Sequence, residues 1–199
     1  MEFTLYYRGP LSAKGDALEK HYLRRHFHGQ ITELWNQPPL NQQFDMIDPE
    51  FEPPRDPRTR AIVVVGGKKP DLKEKIGAYT YTSVVSEKIA LVADLTITFL
   101  RPGPPGGLRD RYGDLDNRIK TLLDGLKIPN AKNALPTDGS LADDPDPIHC
   151  LLEDDRLITR LDIKSDRLLE PDVEDDEVVL LIHVHTKPTI GTVDNLGML

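Results

Sequence analysis

Cysteine is nearly missing from this chain: Cys150 stands alone among 199 residues. A single thiol excludes an intramolecular disulfide, and its plain role is that of a small apolar side chain. Also lacking is any apolar run near the ~20 residues that a membrane-spanning helix needs. Met1-Glu2-Phe3-Thr4 has neither the basic nor the apolar part of a secretion signal, so a cytoplasmic protein with no membrane partner is expected. Gly66-Gly67-Lys68-Lys69-Pro70 is no phosphate-binding Walker loop, because its glycine spacing is wrong and the closing Lys-Ser/Thr is absent. No internal repeat is present. Net positive charge is missing too. The formal charge is −8, which speaks against a polyanion-binding surface spread over the whole molecule. No Lys or Arg lies between Lys132 and Arg156, whereas Asp138, Asp143, Asp144, Asp146, Glu153, Asp154 and Asp155 gather there. Glu170 to Glu177 adds six more acids.

What the chain does contain is ordinary in amount and uneven in placement. Hydrophobic residues make up 38% and charged residues 29%, the balance of a soluble protein with long polar loops. Cations collect in one place, with Arg101, Arg109, Arg111, Arg118 and Lys120 within twenty residues. A local basic rim on an acidic protein is therefore expected around this stretch, with the four arginines as candidate DNA contacts.

Inside that stretch lies the most informative segment, Tyr112-Gly113-Asp114-Leu115-Asp116-Asn117-Arg118-Ile119-Lys120-Thr121-Leu122-Leu123-Asp124-Gly125-Leu126. Leu115, Ile119, Leu122, Leu123 and Leu126 follow the spacing of a buried helical stripe. Asp116, Lys120 and Asp124 recur every fourth residue and so line a second face. An extended lead-in would put Asp114 on the side of Asp116. Carboxylates that converge repel one another unless a cation neutralises them, so the cluster predicts a divalent metal site at a helix N-terminus. The plainer reading is an N-cap with a favourable charge at the positive end of the helix dipole, plus a surface ion pair. A second acidic group, Glu153-Asp154-Asp155, opens a β-rich run; Asp143-Asp144 is a rival pair, ranked lower because no strand is expected after it.

The string Asp114-Leu-Asp116-Asn117-x-x-Lys120-x-x-x-Asp124-x-Leu, followed by Asp154-Asp155 entering a strand, resembles the RusA family of Holliday junction resolvases. The resemblance spans roughly residues 91–187, about half the chain. It implies that Asp114, Asp116 and Asp155 are metal-binding carboxylates and that Lys120 is the catalytic lysine. Asn117, Asp124 and Asp154 match supporting positions. It also implies a homodimer acting on branched DNA, with Mg²⁺, or Mn²⁺, as cofactor. Two features depart from the pattern: the long interval between Asp124 and Asp154, and Gly113 where a basic residue is expected.

Taken in order, Phe3 to Arg8 has the character of a first strand. Leu18, Tyr22, Leu23, Phe27, Ile31, Leu34 and Trp35 predict a helix over 16–35, with Lys20, Arg24, Arg25 and His28 on a solvated face. Residues 36–60 hold six prolines and no periodicity, a long loop. Ala61 to Val65 reads as a buried strand. Tyr79 to Val85 and Ile89 to Leu100 alternate as strands and make a possible hairpin. Ile128 to His149 reads as an acidic loop. Leu157 to Leu169 and Val178 to Thr186 are the last strands, with His183 and His185 on one exposed face. The fold class expected is α+β, a mixed and mostly antiparallel sheet with two helices on one face. One domain would cover residues 1–187, with inserted loops at 36–60 and 129–150 and a C-terminal tail at 188–199.

The function expected from the resemblance is a metal-dependent endodeoxyribonuclease for junctions in recombination and repair. Two alternatives stand beside it. One is a catalytically inactive relative that binds DNA or protein. The other is a D-x-D nucleotidyl- or glycosyltransferase, although neither a nucleotide-binding βαβ unit nor a glycine-rich loop is visible.

Overall fold

The computed structural model describes residues 1–43, 71–103, 114–131, 134–136, 144–174, 176–191 and 195. Strand β1 (Glu2–Pro10) leads into helix α1 (Ala17–Trp35) and a single helical turn, α2 (Leu40–Gln43). Then come β2 (Glu74–Ile76), β3 (Tyr79–Val85) and β4 (Leu91–Arg101), the helix α3 (Leu115–Leu126), and β5 (Ile148–Leu152), β6 (Ile158–Arg167) and β7 (Glu177–Pro188). The strands form two sheets. One has the order β1-β7-β4-β6, the other β2-β3-β5. Three of the pairings are antiparallel and two, β3 with β5 and β4 with β6, are parallel. The fold is α+β with open, mixed sheets, as the sequence pattern predicts.

Strict alternation decides β4. Leu91, Ala93, Leu95, Ile97 and Phe99 all face the core and are at most 1% exposed. Each large one contributes roughly 1.5–3 kcal/mol by leaving water. They meet Leu180, Ile182 and Val184 of β7 and Leu5 of β1, with Leu23, Phe27 and Ile31 of α1 packed over them in one core. Trp35 joins this cluster at its margin.

Helix α1 starts at Asp16, whose carboxylate accepts from the Glu19 amide at 2.8 Å. Its fit against α3 is set by glycine. A Cβ at Gly125 would lie 2.6 Å from the Leu23 Cβ, so only glycine lets the two helices approach this closely. Ahead of α1, the Gly15 amide donates to the Thr121 hydroxyl at 3.2 Å and ties the loop to the middle of α3.

Several expectations change. The strands Tyr79–Val85 and Leu91–Arg101 do not form a hairpin; they belong to different sheets, joined by a 3-10 turn at Glu87–Ile89 and a left-handed Ala90. The end of the expected acidic loop is not loop: Ile148 and His149 open strand β5, which is parallel to β3 and buried at Ile148, Cys150, Leu151 and Leu152. Burial pushes the Cys150 thiol up to about 12, in keeping with an inert packing role. The polar face expected on α1 is partly interior, for Arg24 is 2% exposed, and His21, outside that face, is fully buried. The C-terminal stretch is docked in part: Thr189 N donates to Ala90 O, and the buried Asn195 amide donates to Ile89 O and Ile190 O. The expected strand Ala61 to Val65 lies outside the described residues, as do Arg109, Arg111 and Asp143.

Candidate functional site at helix α3

The buried stripe of α3 is the expected one, with Ile119, Leu122 and Leu126 nearly sealed and Leu115 and Leu123 packed at the edge of the core. That leaves the acidic face outward. Asp114 is the N-cap residue by backbone conformation, yet its side chain makes no capping hydrogen bond. Only its carbonyl serves the helix, accepting from Arg118 N at 3.2 Å. Asp116, Asn117 and Lys120 are exposed on the first turns. The plain reading of Asp114 as a side-chain cap therefore fails, and its carboxylate stands in solvent beside Asp116.

Arg118 requires a correction. It is 1% exposed and among the largest fully buried side chains, so it cannot form part of an outer basic rim. It lies four residues before Leu122, one helical turn away, and so turns inward with the apolar stripe. Arg101 is half-buried at the end of β4.

The C-terminal end of α3 is built differently. Asp124 is gripped by Lys20 at 2.8 Å and Lys127 at 3.2 Å. Lys127 then reaches Asp155 at 2.9 Å. Arg24 donates through Nε to the Lys127 carbonyl at 2.9 Å and through Nη2 to the Asp124 carbonyl at 2.6 Å. It thereby satisfies acceptors that the end of a helix leaves open. Burial works against ionisation of Asp124, but hydrogen bonds from Lys20 and Lys127 outweigh it and hold the carboxyl below its ordinary value. Burial likewise opposes the charge on Lys127, and Asp155 with Asp124 overcomes it and raises the ammonium. The group is a row of alternating charges, Lys20–Asp124–Lys127–Asp155.

The acidic triplet before β6 is divided among three tasks. Glu153 accepts from the Ser86 hydroxyl and the Glu87 amide. Asp154 caps its own 3-10 turn through Arg156 N at 3.0 Å. Asp155 alone turns to the helix, by way of Lys127. The rival Asp144 does precede a strand, since β5 begins at Ile148. What marks Asp144 is burial: its side chain is 3% exposed and binds His21 at 2.9 Å and Arg25 at 3.0 Å. Burial lowers His21, against the opposing pull of Asp144, so a neutral imidazole holds the carboxylate.

Asp155 is thus brought to Asp124, while Asp114 and Asp116 lie about 12–15 Å further along the axis at 1.5 Å rise per residue. Among the described residues no group of three or more His, Cys, Asp or Glu is placed to hold a metal ion. Asp114, Asp116 and Asp155 do not close into a ligand set in this conformation. Sequence reasoning misses Lys127, Lys20 and Arg24 as members of an α3 network. Lys127 follows Asp124 at i+3, which is a signal; the partners on α1 are visible only once the two helices meet. Compared with protein-family models, curated proteins and solved structures, the chain matches none.

Proposed function

We propose that this chain is a metal-dependent endonuclease that hydrolyses phosphodiesters in branched DNA as a homodimer, with its reaction centre at the N-terminal end of α3. The observation that supports this most is the freedom of the Asp114 carboxylate. A D-x-D pair whose first member does not cap leaves two exposed carboxylates and, one turn on, an exposed lysine. These are the groups that a phosphodiester site needs. Lys120, one helical turn from Asp116, is the cation for the charge that grows on the phosphate oxygens. The N-terminal end of the helix adds its dipole. Magnesium would supply an activated water and charge neutralisation. The dispersed carboxylates do not fit it as they stand, since Asp155 is bound to Lys127.

That last contact favours the second reading, a relative that binds branched DNA without cutting it. Incubating the full chain with a four-way junction and with a linear duplex, each in Mg²⁺, Mn²⁺ or Ca²⁺, separates the two. The endonuclease reading expects cleavage of the junction in Mg²⁺ or Mn²⁺ and intact duplex. Junction retention without cleavage in any metal selects the binding module, and turnover of a nucleotide sugar or triphosphate instead would favour a transferase.

A further inference from the structure

The four-stranded sheet has two edges, and they are finished in opposite ways. At the β1 edge, side chains of α1 satisfy the outer backbone: Gln30 accepts from Tyr6 N at 2.9 Å and donates to Tyr6 O at 2.7 Å, with His26 3.1 Å from the same carbonyl. At the other edge, β6 is the last strand among the described residues. It is ten residues long, Ile158 to Arg167, with neither proline nor glycine to interrupt it. Natural proteins usually blunt such an edge. Leu161 and Ile163 stand on the face shared with Leu95 and Ile97, with which they are in register. Yet they are 38% and 37% exposed, while Leu95 and Ile97 are fully covered. The core face therefore runs past its cover at β6.

The opposite face of β6 carries Arg160, Asp162, Lys164 and Asp166, paired along the strand as Arg160–Asp162 at 2.7 Å and Lys164–Asp166 at 3.3 Å. This order is its own complement. Set β6 antiparallel to a second β6 with the two-fold axis at Ile163. Arg160 then faces Asp166 of the second copy and Asp162 faces Lys164, each pair twice. Ile163 meets Ile163, and Leu161 meets Ser165. A slip of two residues to an axis at Asp162 puts Asp162 against Asp162 and Arg160 against Lys164. The slip the other way opposes Lys164 to Lys164 and Asp162 to Asp166. Like charges directly opposite one another destabilise a strand pair. A slip of one residue sets the charged face of one strand against the apolar face of the other. Slips of four, to axes at Leu161 or Ser165, keep only one of the two kinds of opposite-charge pair, so the axis at Ile163 makes the most of them.

We propose that β6 is the site of homodimerisation, pairing antiparallel with β6 of a second copy about Ile163 to make one eight-stranded sheet. The occupant is a second copy of this chain because the charge order complements itself. The two-fold interface buries the same exposed residues on both sides. It identifies a surface for the dimer that the nuclease reading calls for, but it is read from oligomeric state, so its failure leaves the cleavage chemistry untouched.

The test uses the full chain in sedimentation experiments up to about 0.2 mM, where even a dissociation constant near 10 µM gives mostly dimer. Wild type is expected to dimerise. D162K and K164D should each be monomeric, because like charges then face each other twice, and a mixture of the two should restore a heterodimer. Folding of the variants is verified by that restoration. Ile163→Cys should form a disulfide-linked dimer on oxidation, whereas Leu161→Cys should not, since Leu161 lies opposite Ser165. A wild-type monomer throughout this range overturns the proposal. So does a dimer that both charge variants leave intact, or crosslinking through Leu161→Cys in place of Ile163→Cys.

Discussion

At the N-terminal end of α3, Asp114, Asp116 and Lys120 are exposed. Two turns along the same helix face from Asp116, Asp124 is clasped by two lysines, one of which goes on to Asp155. The same residue types occupy both ends, and what differs is the neighbourhood. Helix α1 crosses near the C-terminal end, where Gly125 admits Leu23, and brings Lys20 and Arg24 with it. Charges there are consumed by the fold. Those at the N-terminal end remain available to something outside it. An i, i+4 line of alternating charge is thus not one structural unit: one end is paired within the fold and the other is exposed.

The sharpest way to break this division is Asp116→Asn. The amide keeps the size of the side chain, so the melting temperature should stay within about a degree or two of wild type. Junction cleavage should fall at least ~10³-fold, about 4 kcal/mol of barrier. Junction binding should hold or tighten, because a charge that repels phosphate is gone. Single-turnover cleavage and a binding titration measure the two; cleavage within about tenfold of wild type would remove the N-terminal end of α3 from the reaction.

Arg24→Leu tests the other end. It keeps apolar bulk but deprives the Asp124 and Lys127 carbonyls of their donors in a buried place. A loss of about 3 kcal/mol in urea unfolding is expected. A loss below ~1 kcal/mol would mean that water serves those carbonyls as well as the guanidinium does.

Interior groups should also answer to pH. His149 packs on His28, 5.1 Å between ring centres, and bonds with Thr32 at 2.7 Å. Burial first, and His28 second, lower it from 6.5 to about 4. Between those values the unfolded chain binds a proton that the folded chain refuses. Stability from this group is therefore full above about pH 6.5 and falls as the pH drops toward about 4, by roughly 3 kcal/mol at most. His28 and His21, also lowered chiefly by burial, act in the same sense. His149→Gln should flatten part of the slope in unfolding experiments across this range. An unchanged slope would assign it to other groups.

The smallest effect is expected where ions pair in the open. Arg156 and Glu87 approach to 2.7 Å with side chains 61% and 57% exposed. Arg156→Ala should cost under ~0.5 kcal/mol, because such pairs are screened by solvent and lose entropy on ordering. A loss near that of Arg24→Leu would show that burial is not what divides the two classes of ion.

The alternation of β4, the apolar stripe of α3 and the helical period of α1 were all legible in the chain, as was the α+β class. Each is a repeat over a short stretch, set by the geometry of one element. Strand β5 was not legible. Ile148-His149-Cys150-Leu151-Leu152 has no clear alternation, since it is largely buried beside β3 and under α1, and it follows an acidic segment without a strand-like pattern. The single-residue assignments divide in the same way. Sequence singled out Asp114 and Asp116 by their spacing, and tertiary structure decided that Asp114 does not cap. Sequence grouped Arg118 with the surface arginines, and packing put it inside. Asp155 was recognisable as an acid before a strand, but its partner Lys127 depends on where β5 delivers it. Hydrophobic period is a local property of the chain and fixes which elements form. Which charges meet depends on contacts between segments far apart in the chain, such as Lys20 and Asp124, and only the assembled fold brings those within reach of one another.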